Sequence, residues 1–561
     1  MDASAKTSES KLKRWRHQSK EVLKVMSVTP KVLKLIWNAN KKLTFGVFFL
    51  SSLSAVVPVI ELELTRALLD TMTKHIGTSQ NLSAQIFLLI AGMALTGLIF
   101  TCIEPTRHYF QENLGDILTR DINALILRKA SSFQDLAPFE NPEFYDKLTK
   151  AEDEAGYKPL LTLTHVAGLF YAAVGLGSFL VVLLSFQPLL VLIIAATALP
   201  NIIVQCKASQ ASWAINRFET PEVREMHYVR TVLTRDFNAK EVRLLHLRDY
   251  FLDRYQRLFE RFRQRHQKLR FDRWRNGTWL SVLAAIGSAG CYAYIAAQAV
   301  ARTLSVGSLT LYLAAVDRVT IGMSNLTYSV GSLYDCNLFI SNLFEFLDAP
   351  PTMAVPTDGT AVATPRMIKD GIEFKDIVFK YPDAEKPTLD GLSFHLRRGQ
   401  TVALVGENGA GKTTIVKLLT RLYDPTSGEI LIDGVNLREH DLKDWRSQLG
   451  VIFQDFNRYY LTARENIGIG KVELLKVPSA VEHATELGGA LSVIDTLPNK
   501  FESILGKWFD REEEKSVELS GGQWQKVALA RTFMRSLGTK VGETLLVRSI
   551  GSARCSSADS G

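Results

Sequence analysis

A chain of 561 residues, 47% of them hydrophobic and with a mean hydropathy just above zero, is too long for one domain and reads as a membrane part joined to a soluble part. Its net charge of +8 lies mainly in the N-terminal segment and between apolar runs; membrane topology explains that distribution, and no nucleic-acid partner is expected. The scattered cysteines Cys102, Cys206, Cys291, Cys336 and Cys555 have no paired ligand spacing, which argues against a zinc site and a disulfide framework.

Residues 1–42 are rich in lysine and arginine, with Leu33, Leu35, Ile36 and Trp37 interspersed, and start without a cleavable signal peptide. They predict a basic cytoplasmic arm ending in a helix along the membrane surface. From Leu43, six apolar runs approach the roughly 20 residues a bilayer crossing needs: 43–64, 86–103, 160–186, 188–204, 278–300 and 309–333. The stretches 104–159 and 205–277 are long and basic, whereas the connections near 71–85, 187 and 302 hold almost no charge. That asymmetry predicts cytoplasmic termini and two long cytoplasmic helical hairpins. Asn141-Pro142-Glu143 and Thr220-Pro221-Glu222 are helix-start signals within them. Intramembrane charge is costly and marks candidate sites; Glu61 or Glu63, beside Arg66, is a candidate partner for Arg318, which follows Asp317.

A proline-rich linker precedes an alternating strand, Ile372 to Tyr381. The apolar run Thr401-Val402-Ala403-Leu404-Val405 is expected as a buried parallel strand, and a helix is expected from Thr414. Between them stands Gly406-Glu407-Asn408-Gly409-Ala410-Gly411-Lys412-Thr413, the spelling of a phosphate-binding loop. Its glycines let backbone amides converge on phosphate oxygens, Lys412 reaches the terminal phosphates, and Thr413 offers a hydroxyl to Mg²⁺. The expected ligands are therefore a nucleoside triphosphate and Mg²⁺.

Further along stands Leu519-Ser520-Gly521-Gly522-Gln523, followed by a helical stretch from Trp524 to Arg535. With the phosphate loop and the six runs, this resembles a half-size exporter of the ATP-binding cassette (ABC) transporter family. The resemblance implies a six-helix membrane domain of all-α fold, followed by an α/β nucleotide-binding domain. The boundaries it gives are 1–42 for the arm, 43–345 for the membrane domain, 346–371 for the linker, 372–535 for a partial nucleotide domain and 536–561 for an atypical tail. It implies that Tyr381 stacks on adenine, that residues 406–414, Thr414 included, bind the nucleotide, and that Gln454 touches Mg²⁺ and the attacking water. Residues Leu519 to Gln523 would meet ATP held by a second subunit, so a homodimer or heterodimer is implied. The breaks at 138–146 and 218–228 would be coupling helices.

The resemblance runs over roughly residues 30–535 and then stops. An apolar strand ending in Asp-Glu is expected after the signature helix, beside the phosphate-loop strand; here the run Leu545-Leu546-Val547 ends in Arg548, and no histidine follows His483. A truncated gene end is the expectation for residues 536–561. The function implied is ATP-driven export of an unidentified substrate across a bacterial inner membrane, an ATPase activity coupled to transport. The alternative is a hydrolysis-deficient partner subunit or an inactive relic.

Overall fold

The computed structural model describes residues 29–74, 83–197, 200, 204, 221–356, 361–382, 384–506, 516–537 and 545–548. The basic arm before Thr29, the break at 218–220 and most of the tail lie outside them. Two compact units emerge: residues up to Ala130 together with Asp146–Ala349, and Ser131–Tyr145 together with the chain from Pro350 onward.

The described residues of the first unit are almost all helical. Its helices run Thr29–Ala39, Lys41–Lys74, Ser83–Ser132, Pro142–Ala155, Lys158–Phe186, Pro188–Thr197, Pro221–Thr234, Asp236–Leu244, Arg248–Val300 and Val306–Leu347. Five are long and apolar enough to cross a membrane. The run expected at 188–204 is helical from Pro188 to Thr197, and most of the remainder lies outside the described residues. Helices suit hydrocarbon because they satisfy every backbone donor and acceptor internally. At 50 and 53 residues, helices 83–132 and 248–300 measure about 75 and 80 Å. That exceeds a hydrocarbon core of about 30 Å, as the charge pattern predicts for hairpins reaching beyond the bilayer. The predicted helix start at Pro142 also holds, with Asn141 Oδ1 accepting from the Glu143 amide at 2.8 Å; Pro221 lies in a helix, and the residue before it lies outside the described residues.

The intramembrane charges do not pair as their positions in the sequence suggest. Glu63 pairs with Arg66 at 3.4 Å and Asp317 accepts from the Tyr292 hydroxyl. No ion pair between described residues joins Glu61 or Glu63 to Arg318. An in-helix neighbour three residues away is reached without ordering a second helix, so it takes the charge first. A polar ladder that the sequence reading missed is built around Glu104. It accepts from Ser54 and from Arg107 at 2.8 Å, Arg107 donates to Gln111, and Gln111 donates to Thr164 at 2.8 Å. The Glu104–Arg107 spacing of three was the available signal.

In the second unit, β1 (Gly371–Phe379), β2 (Leu389–Arg397), β3 (Ser427–Ile432) and β4 (Val435–Asn436) form an antiparallel sheet in the order β2-β1-β3-β4. The alternation expected from Ile372 is realised, with Ile372, Phe374, Ile377 and Phe379 buried. Phe374 stacks on its cross-strand partner Phe394, ring centroids 4.4 Å apart. A separate parallel pair joins β5 (Leu449–Ile452) to β6 (Leu545–Arg548).

Asp433, in the β3–β4 turn, accepts from the amides of Lys369, Asp370 and Gly371 at 2.9 to 3.1 Å. Burial works to raise its pKa, but those three donors hold it below the usual carboxylate value. With the folded value depressed, the stabilisation is complete above the unfolded pKa and is lost as pH falls through the folded one. Replacing Asp433 by Ala is expected to cost about 1–2 kcal/mol at pH 7. Thermal melts of variant and wild type in detergent should differ by several degrees at pH 7 and converge once the pH is well below about 4.

Candidate nucleotide site

The phosphate loop is a turn in front of a helix, as its spelling requires. Gly409 and Gly411 have φ of 88° and 82°, left-handed values natural only to glycine, and the helix Lys412–Leu419 begins directly after Gly411. A methyl group on Gly411 would also lie 2.6 Å from Leu389 Cδ2. Loop amides and the helix N-terminus supply what a triphosphate needs. The Lys412 ammonium donates to the carbonyls of Gly406 and Glu407 at 2.6 and 2.7 Å, keeping its charge on the loop. Gly406, Glu407, Asn408, Gly409 and Ala410 are exposed, Gly411 and Thr414 are buried, and Thr413 is exposed at the helix start. The Tyr381 hydroxyl lies 3.1 Å from Thr414 Oγ1.

The expectation that Thr401–Val405 is a buried parallel strand is overturned. The segment has no strand pairing, all five residues are exposed, and Val405 is 93% accessible. A parallel strand takes its hydrogen bonds from its neighbours and its burial from the layers on either face. Among the described residues no strand lies alongside this one. The acid-bearing strand was expected beside it; β6 instead pairs with β5 and places Arg548 opposite Ile452. Gln454 follows β5 by two residues and is exposed.

The signature residues begin a second helix, Gly521–Ser536. Ser520 is its N-cap, and Ser520 and Gln523 satisfy each other's backbone amides in a capping box. Leu519 and Trp524 are buried in the core beneath. A side chain built on Gly521 or Gly522 would meet no atom within 4 Å, so this helix start presents bare backbone. Arg531, on the same helix, donates to Asn466 O at 2.8 Å, to Asn466 Oδ1 at 3.0 Å and to Asn457 O at 3.1 Å. It thereby fixes the segment that follows Gln454. Burial lowers its pKa. No hydrogen bond or ion pair between described residues ties Gln454 or Ser520–Gln523 to the phosphate loop.

The segment Ser131–Tyr145 packs onto the far end of the phosphate-loop helix. The Leu136 amide donates to Leu422 O at 3.1 Å, Pro138 is buried, and Leu136 and Ala137 join the core that contains Leu418 and Trp445. Arg446 donates at once to Thr420 O, Arg421 O and Gln134 O, at 3.1, 2.6 and 2.8 Å. Lys417 makes an ion pair with Glu140 at 3.4 Å. Motif spacing flagged neither Arg446 nor Lys417; a basic residue one helical turn beyond Thr414 was the only sign.

The sequence pattern of the family described as ABC transporter matches residues 389–537. The chain is 30% identical to the subtilin transport ATP-binding protein SpaT of Bacillus subtilis, over 92% of this chain and 82% of that protein. The chain belongs to the ABC transporter family. It is also 24% identical to the nisin transport ATP-binding protein NisT of Lactococcus lactis subsp. lactis, over 92% of this chain and 84% of that one. The fold is that of a bacterial Atm1-family ABC exporter solved with ATP bound, at TM-score 0.75 and 19% identity, with 91% of each chain covered. This transporter is thus a multi-pass membrane protein with a nucleotide-binding domain, of a family whose ATPase activity is coupled to transport.

Two substitutions test the local geometry. Gly411→Ala in the transporter forces a left-handed alanine against Leu389, a strain of about 1–2 kcal/mol, and should weaken ATP binding about tenfold by equilibrium titration. Ser520→Ala removes the cap and should cost about 1 kcal/mol in a thermal melt while leaving binding at the transporter's own phosphate loop unchanged.

Proposed function

We propose that this ABC transporter is one half of a dimeric exporter that binds ATP with Mg²⁺ and carries a cargo of the subtilin and nisin kind out of a bacterial cell. It would sit in the inner membrane with both termini cytoplasmic. The observation that carries the reading is the turn at Gly409–Lys412: two left-handed glycines deliver backbone amides and a lysine to the start of a helix. In this reading residues 406–414 hold the phosphates, Tyr381 stacks on the base, and Thr413 and Gln454 hold Mg²⁺. Leu519–Gln523 face the ATP of the second subunit. The cargo assignment rests on extent. The subtilin and nisin transport proteins match over 92% of this chain, the membrane helices included, whereas an ATP-dependent lipid A-core flippase of Methylococcus capsulatus matches over 53%. Cargo is read by the membrane helices, so a match that includes them bears on it.

A second reading, a partner subunit that binds ATP without hydrolysing it, is favoured by one observation. The strand beside Leu449–Ile452 ends in Arg548, at the position where an acid is expected.

The test is ATP turnover by the purified, reconstituted chain, alone and mixed with a full-length homologous half. Turnover by the chain alone, falling at least about 100-fold with Lys412→Ala, is the expected result. Binding with turnover only in the mixture would select the second reading, and neither binding nor turnover would refute both.

A further inference from the structure

Lys417 touches both the base-stacking aromatic and the segment Ser131–Tyr145. Its ammonium lies 5.1 Å from the ring centre of Tyr381 and 5.4 Å from that of Tyr423, and 3.4 Å from Glu140 Oε1. The two tyrosine rings meet edge to face at 5.5 Å, and Phe379 closes the cluster at 4.9 Å from Tyr381. The Tyr423 hydroxyl is buried; burial, and then the Glu140 carboxylate, push its pKa well above the usual phenol value.

We infer that Lys417 is a positioning residue that reports the state of the Tyr381 ring to Glu140 and so to the segment Ser131–Tyr145. A base stacked on the face of Tyr381 that Lys417 covers would displace the ammonium from it. An ammonium turned away from Tyr381 keeps Tyr423 and closes on Glu140, where opposite charge is its best remaining partner. The pair is half-exposed, with side chains 21% and 41% accessible, and contributes little to stability. The segment stays docked through Leu136, Pro138 and Arg446 while this contact tightens or loosens. A contact that is cheap to change beside an anchor that holds is what a reporter requires. By linkage the same contact lets the segment alter nucleotide affinity by an equal factor.

The inference rests on the nucleotide site proposed above. Its test is hydrogen–deuterium exchange on the full chain in lipid nanodiscs, without ligand, with a non-hydrolysable ATP analogue, and with inorganic tripolyphosphate, which lacks a base. The amides of Leu136, Phe139, Glu140 and Asn141 are hydrogen-bonded and serve as the readout. The ATP analogue is expected to slow their exchange about fivefold or more, and tripolyphosphate is not. In Lys417→Gln the slowing should vanish while affinity for the analogue stays within about fivefold of wild type. Lys417→Arg should restore it, and Glu140→Gln should behave like Lys417→Gln. Slowing that survives Lys417→Gln, or that tripolyphosphate produces equally, overturns the inference. Analogue binding with no change at these amides also overturns it and leaves the nucleotide site standing. No analogue binding at all would remove the site itself and the inference with it.

Discussion

A helix leaves its last carbonyls without partners inside the helix, and the phosphate-loop helix ends at Leu419 in the middle of a core. The donors that reach its end come from two places in the chain. Trp445 Nε1 donates to Leu419 O at 2.9 Å, Arg446 takes Thr420 O and Arg421 O, and the Leu136 amide takes Leu422 O. Arg421 is itself buried, with Asp424 at 3.2 Å and Ala354 O at 2.9 Å. A buried carbonyl left unmade costs on the order of 1–3 kcal/mol. Satisfying these therefore fixes the helix that carries Lys412, Thr413 and Thr414, and fixes the segment 131–145 against it. Arg446 is central because one guanidinium offers several donors in a planar fork, and it extends that fork to Gln134.

The same accounting explains the arginines of the signature helix. Arg531 and Arg535 serve backbone carbonyls of Asn457, Asn466, Gly470 and Arg446. Helix ends and the irregular chain between elements leave carbonyls without a ladder partner, and long cationic side chains substitute for one. Arg531 also lies 4.6 Å from the Tyr459 ring centre, so it is packed as well as bonded. The stretch between Gln454 and Ala463 is held in this way by the helix whose start presents Gly521 and Gly522. Two candidate contact surfaces for nucleotide thus share one rigid support, although they are remote in sequence.

The nucleotide unit shows what a sheet requires of its strands. β1 to β4 are antiparallel; β3 and β4 are joined by a short turn, whereas β1 and β3 pair across the phosphate loop and its helix, and the apolar alternation of β1 was readable in the residues. Thr401–Val405 is just as apolar, yet it lies exposed. Antiparallel partners can arrive with the next turn of the chain, as β4 does for β3, whereas parallel partners always need a crossover. Leu545–Arg548 found such a partner in Leu449–Ile452. Thr401–Val405 has none among the described residues, and hydrophobicity alone does not make a strand. In the membrane unit, likewise, the chemistry of Glu104, Arg107 and Gln111 is visible in the residues, but its continuation to Ser54 and Thr164 required two other helices to be placed.

By itself the sequence determined what is local. Apolar length set the spanning helices, Asn141-Pro142 set a helix start, the glycines at 409 and 411 set a left-handed turn, and Ser520 with Gln523 set a cap. Each depends on residues within a turn or two of one another, where covalent geometry and spacing leave little choice. The tertiary structure alone decided which polar groups meet across helices, which apolar run becomes a strand, and that Lys417 stands between Tyr381 and Glu140. Those outcomes depend on segments tens to hundreds of residues apart competing for the same donors, ring faces and strand edges, and such competition is settled only when the elements pack.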